Sequence, residues 1–529
     1  MLTLQNISYI HPNKELLFDG INLTINPSDK IALIGNNGTG KSTLLKIITS
    51  ELQPSSGRLE LESVPYYIPQ VFGQFNHFSI AEALGIEEKL NALAKILAGK
   101  AEEEDFAILD DDWTIEDRAK EALADWQLKD FELSQTLATL SGGQKTKVFL
   151  AGIQIHQPEF ILMDEPSNHL DTASRDLLYQ FILGTRSTLL IISHDRKLLN
   201  LLDTVCELTR TGINTYGGNY DFYASQKQIA GNALHQDIQN KEKELRKAKE
   251  KERETLERQQ KQDARGKKKQ VKAGVARIMM NTLRNNAENS TAKTKEIHTE
   301  KIGGIHNELR ALRQNVADID QMKFGFDNTK LHSGKVLFKA ENLNYNYGNN
   351  ALWPTDLNLH IASGERLALK GANGSGKTTL VKIILGNLTD AHGNIFRAIA
   401  NAIYIDQDYS LIDNNLTVYE QAQHHNANAL QEHEVKIRLN RFLFGRDTWD
   451  KPCSKLSGGE RMRLMLCCLT IKSIAPDLIV LDEPTNNLDL QNIEILTAAI
   501  NEYQGSLIVI SHDEHFLAQI NVEKNIELD

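Results

Sequence analysis

One ordered set of motifs occurs twice in this chain, and that duplication constrains the fold more than any average property does. Gly35-Asn36-Asn37-Gly38-Thr39-Gly40-Lys41-Ser42 recurs as Gly371-Ala372-Asn373-Gly374-Ser375-Gly376-Lys377-Thr378, an offset of 336. In the same order Gln70 matches Gln407, and Leu140-Ser141-Gly142-Gly143-Gln144 matches Leu456-Ser457-Gly458-Gly459-Glu460. Asp164-Glu165-Pro166 then matches Asp482-Glu483-Pro484, and Ser193-His194-Asp195 matches Ser511-His512-Asp513. The chain therefore holds two homologous domains. From Gln70 to Ser141 is 71 positions but from Gln407 to Ser457 only 50, so the first copy carries about 21 extra residues. The acidic stretch Glu102 to Asp112 is the expected place for them, as a helical insertion.

Each copy reads as α/β. Ile31 to Ile34 and Leu367 to Leu369 are short apolar runs entering a Gly-rich loop, and Thr43-Leu44-Leu45 and Thr379-Leu380-Val381 open the helix that follows. Phe160 to Met163, Leu189 to Ile192, Leu478 to Leu481 and Leu507 to Ile510 are unbroken apolar runs, as strands covered on both faces require. Their polar residues fall at the C-terminal ends, where open α/β sheets bind ligands.

The repeated residues point to phosphate chemistry. Glycines let successive backbone N–H groups approach phosphate oxygens, Lys41 or Lys377 can place its charge on β and γ phosphates, and Ser42 or Thr378 can ligate Mg²⁺. Asp164 and Asp482 end apolar strands and suit the magnesium shell, while Glu165 and Glu483 are placed to polarise an attacking water. Gln70 and Gln407 could contact both the metal ion and that water. His194 and His512 suit a sensor of the γ-phosphate, and Tyr347, with His11 at the equivalent point of the first copy, could stack on adenine, as could Tyr9 or Tyr345.

Charge is divided unevenly. The chain carries 59 Lys and Arg against 70 Asp and Glu, a net −11, yet residues 231 to 320 hold about 21 basic against about 14 acidic residues. This segment, Lys/Glu/Gln-rich from about Gln226 to Gln262, is expected to be helical, with a break around Asp263 to Gly274 and a second helix to about Ile319. Ile302, Ile305, Leu309, Leu312, Val316 and Ile319 form a heptad seam, so an antiparallel hairpin projecting roughly 50 Å is expected. From Lys261 to Arg284, Lys261, Arg265, Lys267, Lys268, Lys269, Lys272, Arg277 and Arg284 face Asp263 alone, a cluster able to neutralise RNA phosphates. No apolar run approaches the roughly 18 residues of a spanning helix, and Met1 to Gln5 lack a signal-like start, which points to a cytoplasmic protein. Cys206, Cys453, Cys467 and Cys468 lack CxxC pairing and are expected to be buried thiols.

Together these motifs resemble the ATP-binding-cassette superfamily, in which Leu-Ser-Gly-Gly-Gln is the signature; the resemblance covers nearly all of residues 1–227 and 336–529. It implies two P-loop ABC nucleotide-binding domains, 1–226 and 326–529, joined by a helical-hairpin linker, 227–325. It also implies a head-to-tail sandwich within a monomer. ATP at Lys41, with Gly35 to Thr43, is then closed by Ser457, Gly458 and Gly459; ATP at Lys377, with Gly371 to Thr379, is closed by Ser141, Gly142 and Gly143. Two cassettes, a charged hairpin between them, and Pro166-Ser167-Asn168-His169-Leu170-Asp171 with Pro484-Thr485-Asn486-Asn487-Leu488-Asp489 look like the ABC-F family, with Ser167 in place of the usual Thr and Asn487 in place of the usual His. That family's translation factors, some conferring resistance to ribosome-targeting antibiotics, bind the ribosomal exit site and extend the linker toward tRNA. The resemblance implies an ATPase using ATP and Mg²⁺, with rRNA and tRNA as partners of the hairpin. The alternative is the ATPase subunit of a transporter, gripped near Gln70 and Gln407 by a separate membrane protein, which leaves the basic hairpin unexplained. DNA-repair ATPases of the superfamily split one cassette around a coiled coil or carry zinc motifs, and fit less well.

Overall fold

The computed structural model describes residues 1–272, 277–314, 334–348, 350–372, 374–427, 429–472 and 475–528, apart from the side chains at 259, 263, 264, 266–272, 277–292, 294 and 314. It has two compact units, Met1–Tyr223 with Met322–Asp529, and Ala224–Gln321.

Each motif set is built on a mainly parallel sheet. In the first copy the strands lie in the order Tyr66–Ile68, Phe160–Asp164, Thr188–Ile192, Lys30–Ile34, Thr204–Thr209, with Gly212–Tyr216 antiparallel at the edge. In the second the order is Ala402–Ile405, Leu478–Asp482, Ser506–Ile510, Arg366–Gly371, Lys524–Leu528. The unbroken apolar runs are the central strands, and all five residues of Phe160–Asp164 and of Thr188–Ile192 are buried. Asp164 pairs in register with Ile192 and Asp482 with Ile510, so both acidic motifs lie beside the histidine motifs at the C-terminal edge of the sheet.

A second layer was not anticipated. Leu16–Ile25, Leu2–Ile10 and Ser56–Leu61 form an antiparallel sheet, as do Leu357–Ala362, Val336–Asn344 and His392–Arg397. The helix after each Gly-rich loop is clamped between the layers: Leu44, Leu45, Ile47 and Ile48 share one core with Phe18, Ile21, Leu162 and Leu190. Leu380, Ile383 and Ile384 pack likewise with Trp353, Val480 and Ile508. Burying apolar side chains on both sides of a short helix fixes it far more firmly than its own propensity could.

The extra residues of the first copy are helical, as Glu87–Leu97 and Glu103–Leu109 ahead of Ile115–Asp125. Their acidic groups are partly paired, Lys95 with Asp105 and Arg118 with Asp112, each at 2.7 Å. All four cysteines are buried and free.

The connector differs from its expectation in one respect. No break occurs at residues 263–272: one helix runs from Tyr220 to Lys272, 53 residues, and a second from Arg277 to Gln314. A single Gly costs only about 1 kcal/mol against Ala in a helix, so Gly266, flanked by strong helix formers, does not end it. Lys241 pairs with Glu308 at 2.6 Å, and these residues stand at equal sequence distances from segment 273–276, so the helices run antiparallel. Ile305, Leu309 and Ile238 are buried there, whereas Val316 and Ile319 lie outside the described residues. So do the side chains of Lys267, Lys268, Lys269, Lys272, Arg277 and Arg284, while Lys261 and Arg265 are exposed. Among the described residues no helix is long and apolar enough to cross a membrane.

Candidate functional site

The Gly-rich loops begin where the central strands Lys30–Ile34 and Arg366–Gly371 end. Gly40 and Gly376 sit in the left-handed region, at φ 97° and 91°, and a Cβ there would lie 2.7 Å from a leucine side chain, that of Leu17 in the antiparallel layer and that of Leu352 in the second copy. Only glycine meets both demands. Lys41 and Lys377 fold back over their loops: their Nζ groups donate to Gly35 O at 2.6 Å and Gly371 O at 2.7 Å, with second bonds to the carbonyls of Asn36 and Ala372. Asn373 lies outside the described residues.

One cavity of about 330 Å³ gathers most of the first set: Asn37, Gly38, Gly40, Lys41, Ser42 and Thr43 of the loop, with Gln70, Asp164, Glu165 and His194. Ser457 and Asn487 of the other copy complete it. The Asn37 N–H donates to Asp489 Oδ2 at 2.7 Å and its side chain to Asn487 O at 3.1 Å, contacts spanning some 450 positions of sequence. Ser457 caps the helix Gly458–Ile471 in a reciprocal box with Glu460, and Ser141 caps Gly142–His156 with Gln144. The signature is thus also a helix-capping box, presenting a helix N-terminus with its free N–H groups to an anion. At Gly459 any side chain would collide with Asn492. On the opposite side, Thr172 of the first copy and His512 of the second approach to 3.1 Å, Oγ1 to Nδ1.

Both glutamates lie just past a strand end in left-handed backbone, φ 53° at Glu165 and 45° at Glu483, a conformation that costs energy outside glycine. His194 Nε2 lies 3.2 Å from Glu165 Oε1, and His512 Nε2 lies 3.5 Å from Glu483 Oε1. Glu165 Oε1 and His194 Nδ1 are buried without a hydrogen-bond partner, so the carboxylate retains an acceptor for a ligand or water. Burial, reinforced by Asp164, pushes Glu165 up to about 8, and burial brings Glu483 to about 7 against the opposing pull of Arg175. Burial holds His194 well below its usual value and takes His512 to about 4, so both imidazoles are neutral. A carboxylate that exchanges its proton near neutrality, beside a neutral imidazole, can serve as a base at working pH. Desolvation also lowers Lys41, countered by Glu165, Asp489 and Asp164.

Ser42, Asp164 and Gln70 line one cavity, and Ser42 opposes the upward push of burial on the Asp164 carboxyl; these hard oxygen donors suit a magnesium ion that keeps several waters and takes phosphate oxygens. At the second set Asp482 instead accepts a 2.5 Å bond from Tyr404, a residue the motif reading did not assign. Thr378 lies in the first turn of the helix Lys377–Leu385, and Gln407 in the turn after Ala402–Ile405. Tyr347 is 60% exposed; its hydroxyl lies 3.0 Å from Thr379 Oγ1 and its ring packs edge-on against Tyr345, 5.0 Å between centroids. His11 packs edge-on against Tyr9, 5.5 Å between centroids. Asp489 was also left without a role; its place at the end of a repeated block was the available signal.

Two Gly-rich phosphate loops, each following a central strand of a mainly parallel sheet and followed in the same order by a capped signature helix and an acidic strand end, define a tandem P-loop ATPase. A family model described as ABC transporter matches residues 18–168 and 354–486, more than half the chain. The ATP-binding protein Uup of Haemophilus influenzae is 30% identical over 542 residues, covering 98% of this chain and 77% of that one. ABC transporter F family member 5 of Arabidopsis thaliana is 29% identical, covering 99% and 74%. The chain belongs to the ATP-binding-cassette family, in its ABC-F branch, and it is an ATPase. Its fold is shared by archaeal ribosome recycling factor aABCE1, solved with the ribosomal stalk protein aP1, at TM-score 0.55 and 19% identity over 97% of this chain and 86% of that one.

Proposed function

We propose that this ATPase is a translation factor that closes head-to-tail on two ATP molecules and, so closed, engages the ribosome through its connector. The division is cassette 1–226, linker 227–325 and cassette 326–529. Lys41 and Lys377 carry the β and γ phosphates; Ser42, Asp164 and Gln70, and Thr378, Asp482 and Gln407, hold Mg²⁺, which when bound neutralises phosphate charge. Tyr347 and His11 stack on adenine. Glu165 or Glu483 takes the proton of the attacking water as its oxygen bonds to the γ-phosphorus and the bond to the β–γ bridging oxygen breaks, releasing ADP. His194 and His512 orient the glutamates and contact the γ-phosphate. Ser457, Gly458 and Gly459 supply helix N–H groups to the ATP on Lys41, and Ser141, Gly142 and Gly143 to the ATP on Lys377.

The observation carrying the ribosomal reading is the charge division: an acidic protein of net −11 with about 21 basic residues concentrated at 231–320. Such a segment suits the phosphates of a nucleic acid, and the ribosome presents RNA phosphates over its surface. That a ribosome recycling factor shares the two-cassette fold adds support. Co-sedimentation with ribosomes in a nonhydrolysable ATP analogue tests it. Replacing Lys267, Lys268, Lys269 and Lys272 with Gln removes four phosphate contacts and should flatten the salt dependence by about three to four log units per log salt. Basal ATPase should survive. Unchanged ribosome affinity and salt slope would refute the connector's role and favour a transporter subunit.

A further inference from the structure

Arg175 stands four residues after Asp171, in the first turn of the helix Thr172–Gly184. The corresponding position of the second copy, four after Asp489, is Ile493, a buried hydrophobe. The two copies therefore differ here in kind: a buried cation in one cassette, a hydrocarbon in the other. Arg175 is 8% exposed. Its Nε donates to Leu170 O at 3.1 Å and its Nη1 lies 3.6 Å from Asp195 Oδ2. Asp195 also accepts a 2.5 Å bond from Tyr179, so the carboxylate is supported without it.

Beyond these bonds within its own cassette, Arg175 also borders the opposite one. It lines a small cavity of about 50 Å³ with Thr172, Asp195, His512 and Asp513. Thr172 holds His512 Nδ1, and His512 Nε2 faces Glu483. The field of the guanidinium also opposes protonation of His512, in addition to burial.

We propose that Arg175 is a positioning residue supplied in trans: by bracing the Leu170–Thr172 turn, whose threonine bonds His512, it keeps His512, and through it Glu483, in working order, and so makes the second ATP site depend on the first cassette, whereas the corresponding position of the second copy is Ile493. This rests on the assignment of Glu165 and Glu483 to separate hydrolytic sites. The device makes the two sites inequivalent, and it ties turnover at Lys377 to cassette closure, since only a closed pair brings Arg175 to His512.

The test measures each site alone in the full chain. Glu165→Gln leaves the second site active and Glu483→Gln leaves the first. Adding Arg175→Met should lower kcat about tenfold in the Glu165→Gln enzyme, with KM for ATP changed by less than about threefold, because misplacing a catalytic pair costs rate rather than binding. The same substitution in the Glu483→Gln enzyme should cost less than about threefold. Arg175→Lys keeps the charge but cannot reproduce the bonds to Leu170 and Asp195; it should recover little of the lost kcat. Equal losses at both sites would mean Arg175 only braces its own helix, and full recovery by Lys would mean that its charge alone acts; either would overturn the proposal. An inactive Glu165→Gln parent would overturn the two-site reading and the proposal with it, whereas an active parent with unselective losses sinks the proposal alone.

Discussion

Asp489 offers a substitution that isolates one bond between the cassettes. Its Oδ1 caps the helix Leu490–Glu502 by accepting from the Asn492 backbone at 2.8 Å, and its Oδ2 accepts from the Asn37 backbone at 2.7 Å. Asn is as good an N-cap as Asp, so Asp489→Asn should keep the helix. It places an NH₂ against the Asn37 N–H, and rotating the amide merely moves the mismatch to Asn492. One charge-assisted bond is lost, worth about 1.5–3 kcal/mol where the group is 3% exposed. That is roughly a 10- to 150-fold weaker closing equilibrium. The assay is small-angle scattering or inter-cassette energy transfer against ATP concentration, with Glu165→Gln and Glu483→Gln present to prevent turnover. The half-closing ATP concentration should rise by that factor while the melting temperature of the nucleotide-free protein moves little. An unshifted closing curve would show that the bond contributes nothing to closure.

Two further outcomes are expected. Replacing both Glu165 and Glu483 with Gln should leave ATP binding intact and cut turnover by roughly 10²–10⁴-fold, the usual contribution of a positioned base; phosphate release measures it, and wild-type rates would remove both residues from catalysis. Burial raises the folded-state pKa of Glu165 to about 8 from a value of 4.5, so the stability it favours is full below about pH 4.5 and is lost as pH rises toward 8. Glu165→Gln should therefore raise the melting temperature of the nucleotide-free protein at pH 8–9 and not at pH 4.5, and an equal effect at both would place the cost elsewhere.

The motifs were legible because each is local. A glycine loop, the lysine at its end and the helix that follows are set by consecutive backbone conformations, so Gly35 to Thr43 reads the same in the chain and in the fold. The strand runs at 160–163 and 189–192 are legible because burial on both faces leaves them wholly apolar. The antiparallel layer was harder: its strands alternate over shorter stretches and carry register shifts, as between Leu4 and Ile7. The connector's length was misjudged because Gly266 is a weak punctuation among strong helix formers.

Sequence alone thus determined the duplication, the α/β class, the chemical identity of the phosphate loops, acidic strand ends and signature caps, and the concentration of basic charge in the connector. Tertiary structure decided which of these meet. Asn37 on Asp489, Thr172 on His512 and Ser457 in the cavity of Lys41 join residues hundreds of positions apart. Such pairs follow from how two folded surfaces dock, and no backbone periodicity encodes that. The same holds for the pKa values of Glu165 and Glu483: a carboxylate's type is written in the chain, but its desolvation is a property of what packs around it.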